Sequence, residues 1–220
     1  MIKLAVFDWN GTILADTAIN LAAAEKELAI IGLPPISPQD YPKLFEVPLQ
    51  NLFLKLGASQ EILHEKASEM AHAFHSHYEP LAAKARTRRG ARQTLAMLQQ
   101  EGIACIILSN HTLEGIYAQL VRLKLSDYFS DVLANEVLDG AVFKGKQFRL
   151  ETYIEQHNVN PAETVIIGDT TEEVVIGQNL GLKTIALSGG FNSIDRLKAM
   201  QPDVLIHTLP DIVKAIKELA

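Results

Sequence analysis

The chain has 220 residues, 48% of them hydrophobic and 21% charged, a composition that supports one substantial core with room for a small second domain. Its formal net charge of −6 is spread along the sequence without blocks, which speaks against a nucleic-acid or anionic-membrane surface. Cys105 is the only cysteine, so an intramolecular disulfide and a cysteine-rich zinc site are excluded, and its apolar setting in IACIILSN marks a buried thiol.

The first element is a strand, KLAVFD (Lys3–Asp8), followed by the turn-forming pair Asn10-Gly11. Asp8 interrupts this apolar run too early for a secretory signal, and no stretch approaches the roughly 18 apolar residues of a membrane helix. A cytoplasmic location follows as the expectation. Three helical patterns come next: TAINLAAAEKELAIIG to Gly32, PLQNLFLKLG to Gly57, and SQEILHEKASEMAHAFHSHY behind a Ser59 cap. A proline-rich connector, LPPISPQDYP, separates the first two.

From there strands and helices alternate. RQTLAMLQQEG precedes the strand IACIIL (Ile103–Leu108), and LEGIYAQLVRLKL precedes DVLA (Asp131–Ala134). A helix starting close to Lys146 leads to TVIIGD (Thr164–Asp169), and TTEEVVIGQNLG leads to KTIAL (Lys183–Leu187). DVLI (Asp203–Ile206) and the helix PDIVKAIKELA close the chain. Strands this apolar without alternation suit a sheet covered on both faces. The fold class is therefore α/β: a Rossmann-like parallel sheet flanked by helices, with a small inserted all-helical cap. Asp8 and Ser109 stand 101 residues apart, where a βαβ unit needs about 30. The excess is helical, which places the cap at 15–82 and the core at 1–14 and 83–220.

Three strand ends carry reactive or phosphate-binding residues: Asp8, Ser109-Asn110, and Asp169 with Glu172 and Glu173 behind it. In a parallel sheet these ends share one edge, where open α/β folds place their chemistry. Read singly, Ser109-Asn110 is also a helix cap, and the acidic pair is also a first turn favoured by the helix dipole.

Together the motifs FDWNGT, ILSN, a lysine before a helix, and IIGDTTEE resemble those of the haloacid dehalogenase superfamily of phosphotransferases, over essentially the whole chain. The segment from Gly181 to Ile216 also resembles the end of phosphoglycolate-phosphatase-like members. The resemblance implies Mg²⁺-dependent hydrolysis of a small phosphate monoester through an aspartyl-phosphate on Asp8. It implies metal ligation by Asp8, the Asn10 carbonyl and Asp169, with Glu173 ligating or holding metal-bound water and Glu172 as the alternative. Ser109 and the Asn110 N–H would bind the phosphoryl group. Lys146 would offset its charge, with Lys144 as the alternative. A small phosphorylated metabolite is the implied partner, and the protein is expected as a monomer or homodimer.

Asn10 departs from the pattern. The family's second aspartate protonates the leaving oxygen, which an asparagine cannot do, and proton transfer of that kind is worth ~10²–10⁴-fold. A slow phosphatase, a binding or regulatory protein, and a dehalogenase or phosphonatase all stay open, as does His111 as a substitute acid. His72, His75 and His77 do not share one helical face and read as polar surface. Arg86, Arg88 and Arg89 read as solvated. FEVPL (Phe45–Leu49) resembles the family's specificity region.

Overall fold

The computed structural model describes residues 1–136 and 145–219. Six strands form a single parallel sheet: β1 (Leu4–Phe7), β2 (Ala104–Thr112), β3 (Asp131–Asn135), β4 (Thr164–Gly168), β5 (Lys183–Leu187) and β6 (Val204–Ile206). Their order is β3-β2-β1-β4-β5-β6, every pairing parallel. After β1 the chain builds β2 and β3 to one side and then crosses to β4 on the other. The direction reverses between β1 and β4, and the crevice at the carboxyl ends of these two strands is where such sheets bind ligands.

Alternating side chains of β1 explain why the sheet is covered on both faces. Ala5 and Phe7 join a core with Leu95 and Leu98 of α5 (Ala91–Gln100), Ile116 and Leu120 of α6 (Leu113–Leu123), and Ile212 and Ile216 of α10 (Asp211–Leu219). Leu4 and Val6 point the other way, to Leu150 of α7 (Lys146–Gln156) and Ile176 of α8 (Thr171–Leu180). Each fully buried Leu, Ile or Phe contributes about 1.5–3 kcal/mol by leaving water. The central strand is therefore an inflexible base for whatever follows it.

Between β1 and α5 lie four helices: α1 (Thr17–Ile30), α2 (Tyr41–Leu44), α3 (Gln50–Lys55) and α4 (Gln60–Ala82). They bury their own apolar cluster, in which Ala24 and Leu28 of α1 join Tyr41, Leu52, Phe53 and Met70. Ser59 caps α4 by accepting the Ile62 N–H at 3.2 Å, as its position predicts. The proline-rich connector is not entirely irregular, because α2 forms at its end with Pro42 in the first turn, where no N–H is needed. A short helix α9 (Ile194–Ala199) lies between β5 and β6. Among the described residues no helix is long and apolar enough to cross a membrane.

The end of β2 departs from expectation. Ser109-Asn110 does not cap a helix: β2 continues through Thr112, and Thr112 caps α6 by accepting the Gly115 N–H at 3.2 Å. Strand and cap are thus separate, and Ser109 is freed from capping.

Candidate active site

Asp8 follows β1 and is 4% exposed. Its Oδ1 accepts from Lys146 Nζ at 2.7 Å, while its Oδ2 is buried with no hydrogen-bond partner among the described residues. Burial pushes the Asp8 carboxyl well above the usual carboxylate range; Lys146 opposes this, and Glu173 and Asp169 add to it. Lys146 is the first residue of α7, and it is buried. Its ammonium also reaches Glu173 Oε1 at 2.5 Å and Glu172 Oε2 at 3.4 Å. Three carboxylates around one ammonium hold that lysine charged, despite burial. Lys144 lies outside the described residues.

Glu173 has two duties. Besides meeting Lys146, its Oε2 accepts the Thr170 N–H at 3.2 Å and hydroxyl at 2.6 Å, completing a capping box at the start of α8. The Thr-x-x-Glu signature of TTEE carries this arrangement. Glu172 is more exposed and accepts from Asn110 Nδ2 at 3.1 Å.

Asp169 is fully buried behind β4, with Oδ1 accepting from Thr12 Oγ1 at 2.6 Å and Oδ2 from the Phe191 N–H at 2.5 Å. Desolvation raises its carboxyl to about 6 against these donors. Glycines make the close approach possible. A Cβ on Gly190 would lie 2.0 Å from Asp169 Oδ2, and one on Gly11, which adopts φ +75°, would lie 2.4 Å from the same atom. The Asn10-Gly11 pair does turn the chain, yet it builds no strand-turn-strand hairpin: Ile13 and Leu14 N–H groups fold back onto the Trp9 carbonyl.

Asn10 sits at the junction with the inserted helices. Its Nδ2 donates to Asp16 Oδ2 at 2.8 Å and to Tyr78 Oη at 2.7 Å, and Tyr78 Oη donates to Asp16 Oδ2 at 2.5 Å. Asn10 Oδ1 accepts from Ser109 Oγ at 3.3 Å. Ser109 is buried, and its Oγ accepts the His111 N–H at 3.1 Å.

Several residues of the site escape a reading of the sequence. Asp16 precedes the first expected helix, at the N-cap position of α1, and Tyr78 belongs to a stretch whose pattern says only helix. Arg88 is not simply solvated: it donates to the Gly11 carbonyl at 2.8 Å and the Ser188 carbonyl at 2.7 Å, clamping the loop after Asp8. Arg149 donates to the Ser109 carbonyl at 2.8 Å and to Asn135 Oδ1 at 2.7 Å. His111 is buried at the end of β2. Its Nδ1 accepts the Thr112 N–H at 2.6 Å, which places the ring proton on Nε2; that atom is buried, lacks a hydrogen-bond partner among the described residues, and lies 3.8 Å from Glu79 Oε2.

Asp8, Asn10, His111 and Lys146 face a cavity of about 340 Å³ whose other wall comes from the inserted helices, including Phe45, Glu46, Val47 and Leu49 of the FEVPL segment. Phe45 stacks on Phe191 at 4.6 Å between ring centroids. Of the four histidines on α4 (His64, His72, His75 and His77), only His75 lines this cavity, paired with Glu79 at 3.3 Å. Cys105 is buried, its thiol pushed up to about 12 by desolvation.

The site can accept a hard cation. Among the described residues no group of three or more His, Cys, Asp or Glu side chains is arranged as a metal cage. The unpartnered Oδ2 of Asp8 and the neighbouring Asp169 nevertheless present oxygen donors, and Mg²⁺ is commonly held by one or two carboxylates with water and phosphate completing its shell.

A buried carboxylate held by lysine at the β1/β4 crevice, beneath a wall of inserted helices, marks an α/β protein with an acidic centre where such sheets place their chemistry. The family model described as haloacid dehalogenase-like hydrolase matches residues 5–187, and the chain belongs to that family. It is 24% identical to the phosphoglycolate phosphatase of Vibrio vulnificus, with 98% of this chain and 96% of the relative covered. It is 27% identical to that of Synechococcus elongatus, with 97% of each covered. In fold it is similar to a haloacid dehalogenase-like hydrolase from Streptococcus pneumoniae (TM-score 0.80, 18% identity, covering 97% of this chain and 98% of that one). It is similar also to a protein described as a predicted phosphatase from Clostridium acetobutylicum (TM-score 0.84, 19% identity, covering 99% of each).

Proposed function

We propose that the protein is a Mg²⁺-dependent phosphatase that hydrolyses a phosphate monoester through an aspartyl-phosphate on Asp8. The observation that carries this reading is the pairing of Asp8 Oδ1 with Lys146 while Oδ2, in a residue that lines the cavity, has no hydrogen-bond partner among the described residues. The relatives named phosphoglycolate phosphatase support the same class of reaction.

Asp8 attacks phosphorus, the ester oxygen leaves with a proton, and water then releases phosphate from Asp8. Lys146 favours the ionised form of Asp8 against the desolvation that raises its carboxyl, and it offsets charge on the phosphoryl oxygens. Ser109 Oγ and the Asn110 N–H bind those oxygens. Glu173 fixes Lys146 and stands near enough to orient water. The cation, held by Asp8, Asp169 and the Asn10 carbonyl, would supply Lewis-acid stabilisation of the transferring group. Residues 15–82 act as the cap that covers the reaction, and the FEVPL segment contacts the leaving group.

Asn10 cannot donate the leaving-group proton, because a carboxamide is not an acid in this range, and both hydrogens of its amide are in any case committed to Asp16 and Tyr78. Nor is His111 a substitute acid: its Nδ1 accepts the Thr112 N–H and burial lowers its pKa. The ring is therefore a neutral imidazole whose Nε2–H can hydrogen-bond the leaving oxygen while the proton comes from water. A second reading, a phosphate-ligand-binding protein without turnover, is favoured by that same commitment of Asn10. Phosphate release from a panel of esters, with and without Mg²⁺, separates the two. Metal-dependent release that is lost in Asp8→Asn supports the enzyme. Turnover absent in the wild type but present in Asn10→Asp supports the binding protein, and metal-independent chloride release from a haloacid overturns both.

A further inference from the structure

The cavity extends well past the phosphoryl end. Asn20 and Glu27 of α1 both line it, seven residues apart on one helix face, as do Tyr78 and Ala71 of α4, which packs against α1. Two helical turns separate each pair, so the cavity runs on the order of 10 Å along the inserted helices beyond Tyr78.

At its far end stands Glu27, only 8% exposed, with a buried Oε2 that no described residue partners. An unsatisfied buried carboxyl is costly, so its retention in an apolar recess calls for a ligand. The other carboxylates at this wall are already engaged: Glu46 by Arg196 at 2.8 Å and by Lys55, and Glu79 by His75. Phe45 and Phe74 add aromatic faces. Among the described residues the only lysine or arginine lining the cavity is Lys146, which Asp8 and Glu173 hold at the opposite end.

Resting on the phosphatase reading, we propose that Glu27 is a specificity-determining residue and that the substrate is a phosphate monoester whose leaving group ends in a primary ammonium on a spacer of about 10 Å. The ammonium meets the free oxygen of Glu27 in a charge-assisted hydrogen bond and lies against the aromatic faces, an arrangement favourable in a desolvated recess. Empty, Glu27 stays protonated because burial raises its carboxyl to about 8; the incoming cation displaces that proton to solvent. A carboxylate tail finds no lysine or arginine there among the described residues. The short acidic leaving group implied by the phosphoglycolate relatives would leave the recess unfilled.

The test is calorimetric binding of matched, non-hydrolysable probes in Mg²⁺ buffer: ω-aminohexylphosphonate, hexylphosphonate and ω-carboxypentylphosphonate, with short aminoethylphosphonate as the length control. The amine-tailed hexyl probe is expected to bind wild type at least about tenfold more tightly than the other three. In Glu27→Gln that preference is expected to fall to about one, with the fold checked by circular dichroism. Equal or tighter binding of the alkyl or carboxylate probe by wild type overturns the proposal, as does an amine preference that survives Glu27→Gln. Phosphate release is measured separately, so a failed phosphatase reading with the binding preference intact is distinguishable from the reverse.

Discussion

The side-chain amide of Asn10 bridges two oxygens from different parts of the chain, donating to Asp16 Oδ2 at 2.8 Å and to Tyr78 Oη at 2.7 Å. Asp16 also accepts the Gly11 N–H at 2.8 Å, so the loop after β1, the start of α1 and the end of α4 meet at one carboxylate. An aspartate in place of Asn10 would lose both donors and set a second negative charge against Asp16. The asparagine therefore ties the inserted helices to the core at the cost of the usual acid.

Asn10→Asp is expected to destabilise the protein, by about 1–3 kcal/mol, through unpaired and like-charged buried groups. Burial already raises the Asp16 carboxyl, so at low pH the new pair can share a proton and relax. Thermal melts at pH 5 and pH 8 check this: the loss should be larger at pH 8, and a pH-independent loss would contradict the bridge.

His111→Gln separates leaving-group stabilisation from binding. If Nε2–H hydrogen-bonds the leaving oxygen, alkyl phosphates should lose kcat by about 10²-fold, while p-nitrophenyl phosphate, whose leaving group needs little stabilisation, should lose less than about threefold. A uniform loss across leaving groups would remove His111 from that role.

Lys146→Met strands Asp8 and Glu173 as neighbouring buried carboxylates. Removing one partner of a buried ion pair costs about 3–5 kcal/mol, or the carboxylates take up protons instead. Without Lys146 the Asp8 carboxyl rises further, so kcat/KM at pH 7 should fall by more than about 10²-fold and recover in part at higher pH. Full activity at pH 7 would show that Lys146 does not favour the ionised form of Asp8.

Glu27 makes a prediction about stability. Its carboxyl is raised from 4.5 to about 8 in the folded protein, so protonation favours the folded state. The associated stability is fully present below about pH 4.5 and is lost as the pH rises towards 8. Wild type should therefore lose melting temperature between pH 5 and pH 8 more steeply than Glu27→Gln, with a difference of about 1–4 kcal/mol at pH 8. Parallel curves would place Glu27 in contact with solvent.

The sheet is legible in the sequence because its strands are apolar on both faces and are punctuated by caps. KTIAL is a strand over the residues expected, and LAVF, TVIIG and VLI lie within the runs expected to form them. The strand-end residues Asp8, Ser109 and Asp169 are legible for the same reason: a parallel sheet brings its carboxyl ends to one edge. Lys146, at the start of α7, is indicated only by the family resemblance. Asp16, Tyr78, Arg88 and Glu27 are not legible. Their importance comes from contacts between segments such as 16 and 78, or 88 and 11, which no local periodicity encodes. The end of β2 misleads for a related reason. Ser109-Asn110 has the chemistry of a cap, but the strand's pairing with β3 resumes at Thr112 and delays the helix.

The central claim is that Asp8 becomes phosphorylated during turnover. Acid-quenching the enzyme in the steady state, reducing with borohydride and sequencing the Leu4–Lys26 peptide by mass spectrometry reads this directly, since an aspartyl-phosphate is reduced to homoserine. The account predicts homoserine at position 8 only when substrate and Mg²⁺ are both present. Unmodified Asp8 under conditions where phosphate release continues would contradict it.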